Sequence, residues 1–213
     1  NYIRTELKKT GTKEGCAEGG CGACTVVLGE LKDKKIFYKS INSCISFLPI
    51  INGTHLILIE NLISEKNKLH PIQDAMLKYH GSQCGFCTPG FVMSLFGMYK
   101  NFKKFDKETI DETLSGNLCR CTGYRPIIDA AKSLNKIKNV DSFSKNKKNF
   151  IKILKKINSK NLSIINNGKK YFSPNNIKEL KKIIQQNPQA LFLSGGTDLS
   201  LIVTKERKDI DTI

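Results

Sequence analysis

The chain has 213 residues, enough for one or two domains with their own cores, and carries a formal net charge of +16. The charge invites a nucleic-acid reading, but Arg4, Arg120, Arg125 and Arg207 are the only arginines among 35 basic residues. Phosphate readers lean on arginine's bidentate fork, so a lysine-rich solvated surface explains the charge better. No apolar run approaches the ~18 residues of a membrane-spanning helix. With no secretory segment in view, the eight cysteines argue against a disulfide framework. All of them lie at or before Cys121, in two tight groups of four, and that clustering points to metal.

Tyr2 to Lys9 reads as a short helix with Ile3 and Leu7 on one face. It leads into Gly15-Cys16-Ala17-Glu18-Gly19-Gly20-Cys21-Gly22-Ala23-Cys24, where three cysteines and four glycines share ten residues; Cys44 follows. The spacing C-x4-C-x2-C…C is that of plant-type [2Fe–2S] ferredoxins. Four thiolates must converge on a negatively charged core while backbone N–H groups turn toward the sulfurs. Glycine permits both the close approach and the positive φ angles this needs. Thr25 to Leu28 and Lys35 to Ile41 read as strands joined by a turn at Lys32-Asp33-Lys34, and His55 to Ile59 as a third. A small mixed sheet crossed by a helix is the expected first unit.

From Leu69 the apolar period becomes helical. Pro71 to Tyr79 forms one helix, and Gln83-Cys84-Gly85-Phe86-Cys87-Thr88-Pro89-Gly90 opens another that runs to about Phe102, with Thr88 as cap. Asp106 or Thr109 starts a third, which ends near Gly116-Asn117. Leu118-Cys119-Arg120-Cys121-Thr122-Gly123-Tyr124-Arg125-Pro126 opens the last. Each cysteine pair thus stands before a helix N-terminus, whose free N–H groups and macrodipole favour an anion. C-x2-C…C-x-C alone could hold zinc; beside the ferredoxin-type loop a second [2Fe–2S] cluster is the better reading. His55, His70 and His80 read as structural or surface residues, and Tyr124 and Arg125 as braces for the last turn. Arg120 either tunes a cluster through its charge or pairs with a carboxylate.

Lys136 to Asn149 reads as an exposed basic linker, followed by an amphipathic helix from Phe150 to Ile157. Ser173-Pro174-Asn175-Asn176 caps a helix carrying Ile177, Leu180, Ile183 and Ile184. A buried strand from Ala190 to Leu193 then ends in Ser194-Gly195-Gly196-Thr197-Asp198, a loop suited to a pyrophosphate.

Three stretches carry a family resemblance. Thr12-Lys13-Glu14-Gly15-Cys16-Ala17-Glu18-Gly19 with Cys21-Gly22-Ala23-Cys24-Thr25-Val26 resembles the first iron–sulfur domain of the molybdenum hydroxylases. Gln83 through Gly90 and Gly116 through Pro126 resemble their second, helical one. Phe172-Ser173-Pro174 onward, through Ser194 to Leu199 and Val203-Thr204-Lys205, looks like the start of an FAD domain of the kind in bacterial xanthine dehydrogenase small subunits.

The resemblance implies an α+β fold. A truncated β-grasp ferredoxin-like domain (1–65) precedes an all-α four-helix [2Fe–2S] domain (66–136), a linker (137–170) and the start of an α+β FAD-binding domain (171–213). It implies that Cys16, Cys21, Cys24 and Cys44 hold one [2Fe–2S] cluster, and Cys84, Cys87, Cys119 and Cys121 a second. Gln83 would meet the pterin cofactor of a molybdopterin-binding large subunit. Phe192, Leu193, Ser194, Gly195, Gly196, Thr197, Asp198 and Leu199 would contact FAD. The implied role is a cytoplasmic oxidoreductase subunit of purine catabolism, which passes electrons from xanthine hydroxylation, with oxygen derived from water, to FAD and then NAD. No catalytic side chain, nucleic acid or membrane is expected here. Related aldehyde, carbon monoxide and N-heteroaromatic hydroxylases are the nearest alternatives, and a zinc-stabilised interaction module a remote one. The family chain has an N-terminal hairpin ahead of Asn1 and an FAD domain extending past Ile213, so this sequence reads as a piece cut at both ends, able to hold clusters but not FAD tightly.

Overall fold

Asp33 and Lys34 both have positive φ (46° and 63°), and this two-residue turn folds Thr25–Lys32 (β1) back onto Lys35–Asn42 (β2). Such primed turns match the twist of antiparallel strands. The ladder runs from Thr25 opposite Asn42 to Lys32 opposite Lys35. His55–Ile57 (β3) pairs antiparallel with the other edge of β1, giving the order β2-β1-β3. The computed structural model describes residues 1–63, 68–137, 141–157 and 161–213. Among them this sheet is antiparallel throughout rather than mixed, because the tight hairpin allows β2 no other direction. The first helix, Tyr2–Thr5 (α1), is one turn shorter than its apolar spacing predicts.

Four helices follow: Pro71–Lys78 (α2), Thr88–Asn101 (α3), Lys107–Leu114 (α4) and Arg125–Ser133 (α5). Pro71, Pro89 and Pro126 all occupy first-turn positions, where the missing N–H is harmless. The Asp106 carboxylate caps α4 by accepting the Thr109 N–H at 2.9 Å. The expected cap Thr88 instead donates its hydroxyl to Ser82 Oγ, and Cys87 takes the N-cap place. α3 is apolar nearly all round and lies across β1 and β2; Phe91, Met93, Leu95 and Phe96 are fully buried. Close approach is secured at Gly97, where a Cβ would sit 2.6 Å from Ser40 Oγ. It is secured again at Asn101, whose side-chain amide exchanges two hydrogen bonds with the Tyr38 backbone (2.6 and 3.0 Å). The sheet and the helical bundle therefore share one core.

The stretch read as an exposed linker differs. Ser142–Lys145 (α6) and Lys147–Lys156 (α7) pack onto that shared core, burying Phe143 and Leu154. Phe150 stacks on His55 at 4.6 Å between ring centroids. Asp141 is buried, accepts hydrogen bonds from Lys100 Nζ (2.9 Å) and the Ser144 N–H (2.7 Å), and lies 3.1 Å from His70 Nε2. Composition concealed this, because two aromatic anchors and one carboxylate do the packing among many lysines. The domain boundary placed between residues 65 and 66 lies outside the described residues.

Leu162–Asn166 (β4) and Lys169–Ser173 (β5) form a second hairpin over Asn167-Gly168 (φ 48° and 79°). Ile177–Gln186 (α8), capped by Asn176, and Leu199–Thr204 (α9) complete the chain. From residue 161 onward only Ser200 is buried. The strand expected at Ala190 to Leu193 does not form: Leu191 makes a single backbone bond to Thr212, and Phe192 is 70% exposed. One backbone bond to Thr212, an isolated bridge residue outside any strand, is too little to build a ladder.

Candidate metal centres

All eight cysteines are free thiols, and the fold gathers them as the two spacings anticipated, four and four. Within each four they meet in twos. In the first group Cys16 neighbours Cys21, and Cys24 neighbours Cys44. In the second group Cys84 Sγ lies 3.5 Å from Cys121 Sγ, and Cys87 reaches Cys119. Among the described residues no three or more His, Cys, Asp or Glu side chains close on a single ion. A two-iron core asks instead for two donors per iron, which is the arrangement present.

The polypeptide around the sulfurs is shaped for a bulky anionic guest. The N–H groups of Gly20 and Cys21 both point at Cys16 Sγ, each at 3.3 Å. Ala17, Gly19 and Gly22 have positive φ (54°, 80° and 69°), so the loop curls back on itself. In the second group the Thr122 N–H and hydroxyl lie 3.5 and 3.2 Å from Cys119 Sγ. The Tyr124 hydroxyl accepts the Cys119 N–H at 3.0 Å, fulfilling the bracing role expected of that residue. Cys84/Cys87 and Cys119/Cys121 precede α3 and α5 respectively, as anticipated.

Thiol ionisation follows the pairing. The hydrogen bond from Cys44 holds the Cys24 thiol down to about 7, and that same bond pushes Cys44 up. The Phe86 N–H and then Cys121 lower Cys84, while Cys84 raises Cys121. Burial, then the bond to Cys119, pushes Cys87 up to about 12. Burial acts against ionisation of Cys119 too, but hydrogen bonds from Thr122 outweigh it and its pKa falls. Each of these pairs therefore holds one thiol ready to become the thiolate that metal binding requires.

The two groups are locked together. Leu118 donates its N–H to the Cys21 carbonyl at 3.0 Å, so one backbone bond joins a residue of the first group to the neighbour of Cys119. Buried Asn117 donates to the Gly22 carbonyl (3.0 Å) and Thr25 Oγ1 (3.3 Å), and accepts from Ser94 Oγ (2.6 Å). A Cβ at Gly22 would lie 2.2 Å from the Gly116 carbonyl oxygen, and one at Gly15 would lie 3.3 Å from the Phe86 ring. Asn117 had been read only as part of a helix stop, and nothing in its local sequence marks it as a strut.

Gln83 is exposed beside Cys84. The Phe192 to Leu199 stretch leads into α9, where Ser200 bonds the Ile45 carbonyl beside Cys44, and Lys205, just past α9, bonds the Cys16 carbonyl. Arg120 is exposed, and Arg125 pairs with Asp129 on its own helix (3.2 Å). His70 caps α2, with Nδ1 accepting the Ile72 N–H, and His55 is enclosed by aromatic rings; both are structural.

The family of [2Fe-2S] binding domains matches residues 58–132. The chain is 51% identical over 138 residues to xanthine dehydrogenase from Blastobotrys adeninivorans, an alignment covering 63% of this chain and 10% of that protein. It is 44% identical over 137 residues to aldehyde oxidase 1 from Oryctolagus cuniculus, with the same coverages. It thus spans about a tenth of the length of these curated relatives. Among solved structures, quinoline 2-oxidoreductase from Pseudomonas putida 86 superposes with a TM-score of 0.54 at 33% identity, over 63% of this chain and 82% of that one. Aldehyde oxidoreductase from Desulfovibrio gigas superposes with the same score and identity, over 72% of this chain and 15% of that one.

Proposed function

Because the chain belongs to the iron–sulfur part of the molybdenum hydroxylase family, we propose that it is an electron-transfer unit holding two [2Fe–2S] clusters. Cys16 and Cys21 serve one iron of the first cluster and Cys24 and Cys44 the other. Cys84 with Cys121, and Cys87 with Cys119, serve the second. A bound [2Fe–2S] cluster takes up and passes on one electron at a time. The chain's own part is to supply thiolates, to aim the Gly20, Cys21 and Thr122 N–H groups at sulfur, and to keep the two centres at a constant separation through Asn117 and the Leu118–Cys21 bond. The single observation that carries this reading is the meeting of the thiols in four close pairs within two interlocked loops.

In the finer reading, electrons arrive from a molybdopterin-binding partner, a large subunit or domain, in contact with Gln83. They leave through FAD, touched by Phe192 to Leu199, toward NAD. The domain limits are those given for the sequence, except that α6 and α7, within residues 137–170, belong to the shared core instead of a linker. The substrate class is xanthine, a reading favoured by the 51% identity to a xanthine dehydrogenase. A second reading, hydroxylation of an N-heteroaromatic ring by a separate-subunit assembly of bacterial type, is favoured by the 82% coverage of the quinoline 2-oxidoreductase chain.

The test is metal and acid-labile sulfide per chain in anaerobically purified protein, with EPR after dithionite reduction. About four iron and four sulfide with two distinct signals support two clusters. Zinc without sulfide in a folded sample overturns the proposal and leaves an interaction module in its place.

A further inference from the structure

The first thiol loop is held from a distance of 189 residues. Lys205 Nζ donates to the Cys16 carbonyl at 2.6 Å and lies 3.1 Å from a Glu18 carboxylate oxygen. Between these two anchor points stands Ala17, a non-glycine residue at φ 54°, in the strained left-handed region. One ammonium therefore grips both sides of the loop's strained residue. The turn it holds is the one that directs the Gly20 and Cys21 N–H groups at Cys16 Sγ.

The helix that ends just before Lys205, α9, holds the other side of the group. Ser200, 3% exposed, donates its hydroxyl to the Ile45 carbonyl at 2.5 Å, directly after Cys44. Gly196 (φ 78°) turns the chain into this contact, and a Cβ there would already lie 3.2 Å from Ser200 Oγ. α9 and its C-cap Lys205 thus bridge the loop of Cys16 and the turn of Cys44, two segments separated in sequence by β1 and β2.

We infer that Lys205 is a positioning residue for the Cys16 sulfur, and that α9 straps together the two ligand segments of the first centre. The inference rests on the reading of Cys16, Cys21, Cys24 and Cys44 as cluster ligands. Two effects act in one direction. The Lys205 charge favours the more negative, reduced cluster, and the ordered loop keeps N–H donors on sulfur, which also favours reduction. Removing Lys205 lowers the potential of one centre and leaves the other unchanged.

The test uses the full chain carrying Lys205→Met, Lys205→Arg or Ser200→Ala. In the cluster-free chain, amide hydrogen exchange of the Gly20 and Cys21 region is expected to quicken about tenfold in Lys205→Met, with exchange around Cys87 and Cys119 unchanged. In the reconstituted chain, an EPR-monitored redox titration is expected to move one signal negative by about 59 mV, a tenfold change for a one-electron couple. Lys205→Arg restores most of both. If Lys205→Met does not fold, Ser200→Ala is expected to loosen the Cys44 turn and shift that same signal. Unchanged exchange and potentials in folded variants overturn the inference. A wild-type chain that takes up no iron overturns the ligand reading instead, and the exchange experiment still decides the positioning role.

Discussion

The Asn117 side chain reaches the Gly22 carbonyl across 95 residues of sequence, at 3.0 Å and fully buried, while Ser94 on α3 donates to its other end. This amide is the point at which sheet, helical bundle and both thiol loops meet. Its position ties the two thiol groups to the same core.

Asn117→Ala leaves the Gly22 carbonyl and the Ser94 hydroxyl without that partner. A loss of about 1–2 kcal/mol in unfolding free energy is expected, because the buried Ser94 hydroxyl loses its acceptor while the Gly22 carbonyl keeps the Thr25 N–H and hydroxyl. Urea denaturation of the variant against wild type measures it, and a change within error would show that water replaces the amide.

The glycines give a sharper contrast. At Gly22 an added Cβ would lie 2.2 Å from the Gly116 carbonyl oxygen, and at Gly90 2.2 Å from the Gly22 carbonyl oxygen; at Gly116 nothing lies within 4 Å. Gly22→Ala and Gly90→Ala should each abolish iron uptake by separating the loops, and Gly116→Ala should leave it unchanged. Iron per folded chain distinguishes them.

Asp141 supplies the pH dependence. Burial opposes its charge, but hydrogen bonds from His70, Lys100 and the Ser144 N–H outweigh that and hold its carboxyl well below the usual range. Its folded pKa lies below the unfolded value of about 3.9, so the unfolded chain binds the extra proton first. The stabilisation is fully present above that value and is lost as pH falls beneath it. Asp141→Asn should destabilise by about 3–5 kcal/mol at neutral pH, since the buried Lys100 ammonium loses its carboxylate counter-charge. The difference from wild type should shrink below about pH 4, as urea midpoints against pH would show.

Single ligand replacements separate the centres. Cys24→Ser should remove one EPR signal and Cys84→Ser the other, each lowering iron from about four to about two per chain. Loss of both signals from either change would mean that the interlocked loops fold only with both centres filled.

Much of this was legible from residue order alone. Cysteine spacing named both thiol groups, because ligands to one small core must be close in sequence or carried on rigid neighbours, and helix starts were marked by Pro71, Pro89, Asp106 and Pro126. The β4–β5 hairpin is not signalled by its strands although Asn167-Gly168 is a strong turn signal, since neither Leu162–Asn166 nor Lys169–Ser173 alternates apolar with polar residues. The strand expected at Ala190 to Leu193 failed for the opposite reason: an apolar run without a pairing neighbour has no ladder to join.

By itself, then, the sequence determined the two cysteine groups and the helix starts beside them, which are marked by residue types and spacings along the chain. Only the tertiary structure decided how the thiols pair, that Asn117 locks one loop against the other, that Asp141 and Phe143 turn a basic linker into core, and that Lys205 returns to Cys16. Each of those depends on which distant backbone carbonyl or buried charge lies within hydrogen-bond reach, and no local pattern of residues encodes that distance.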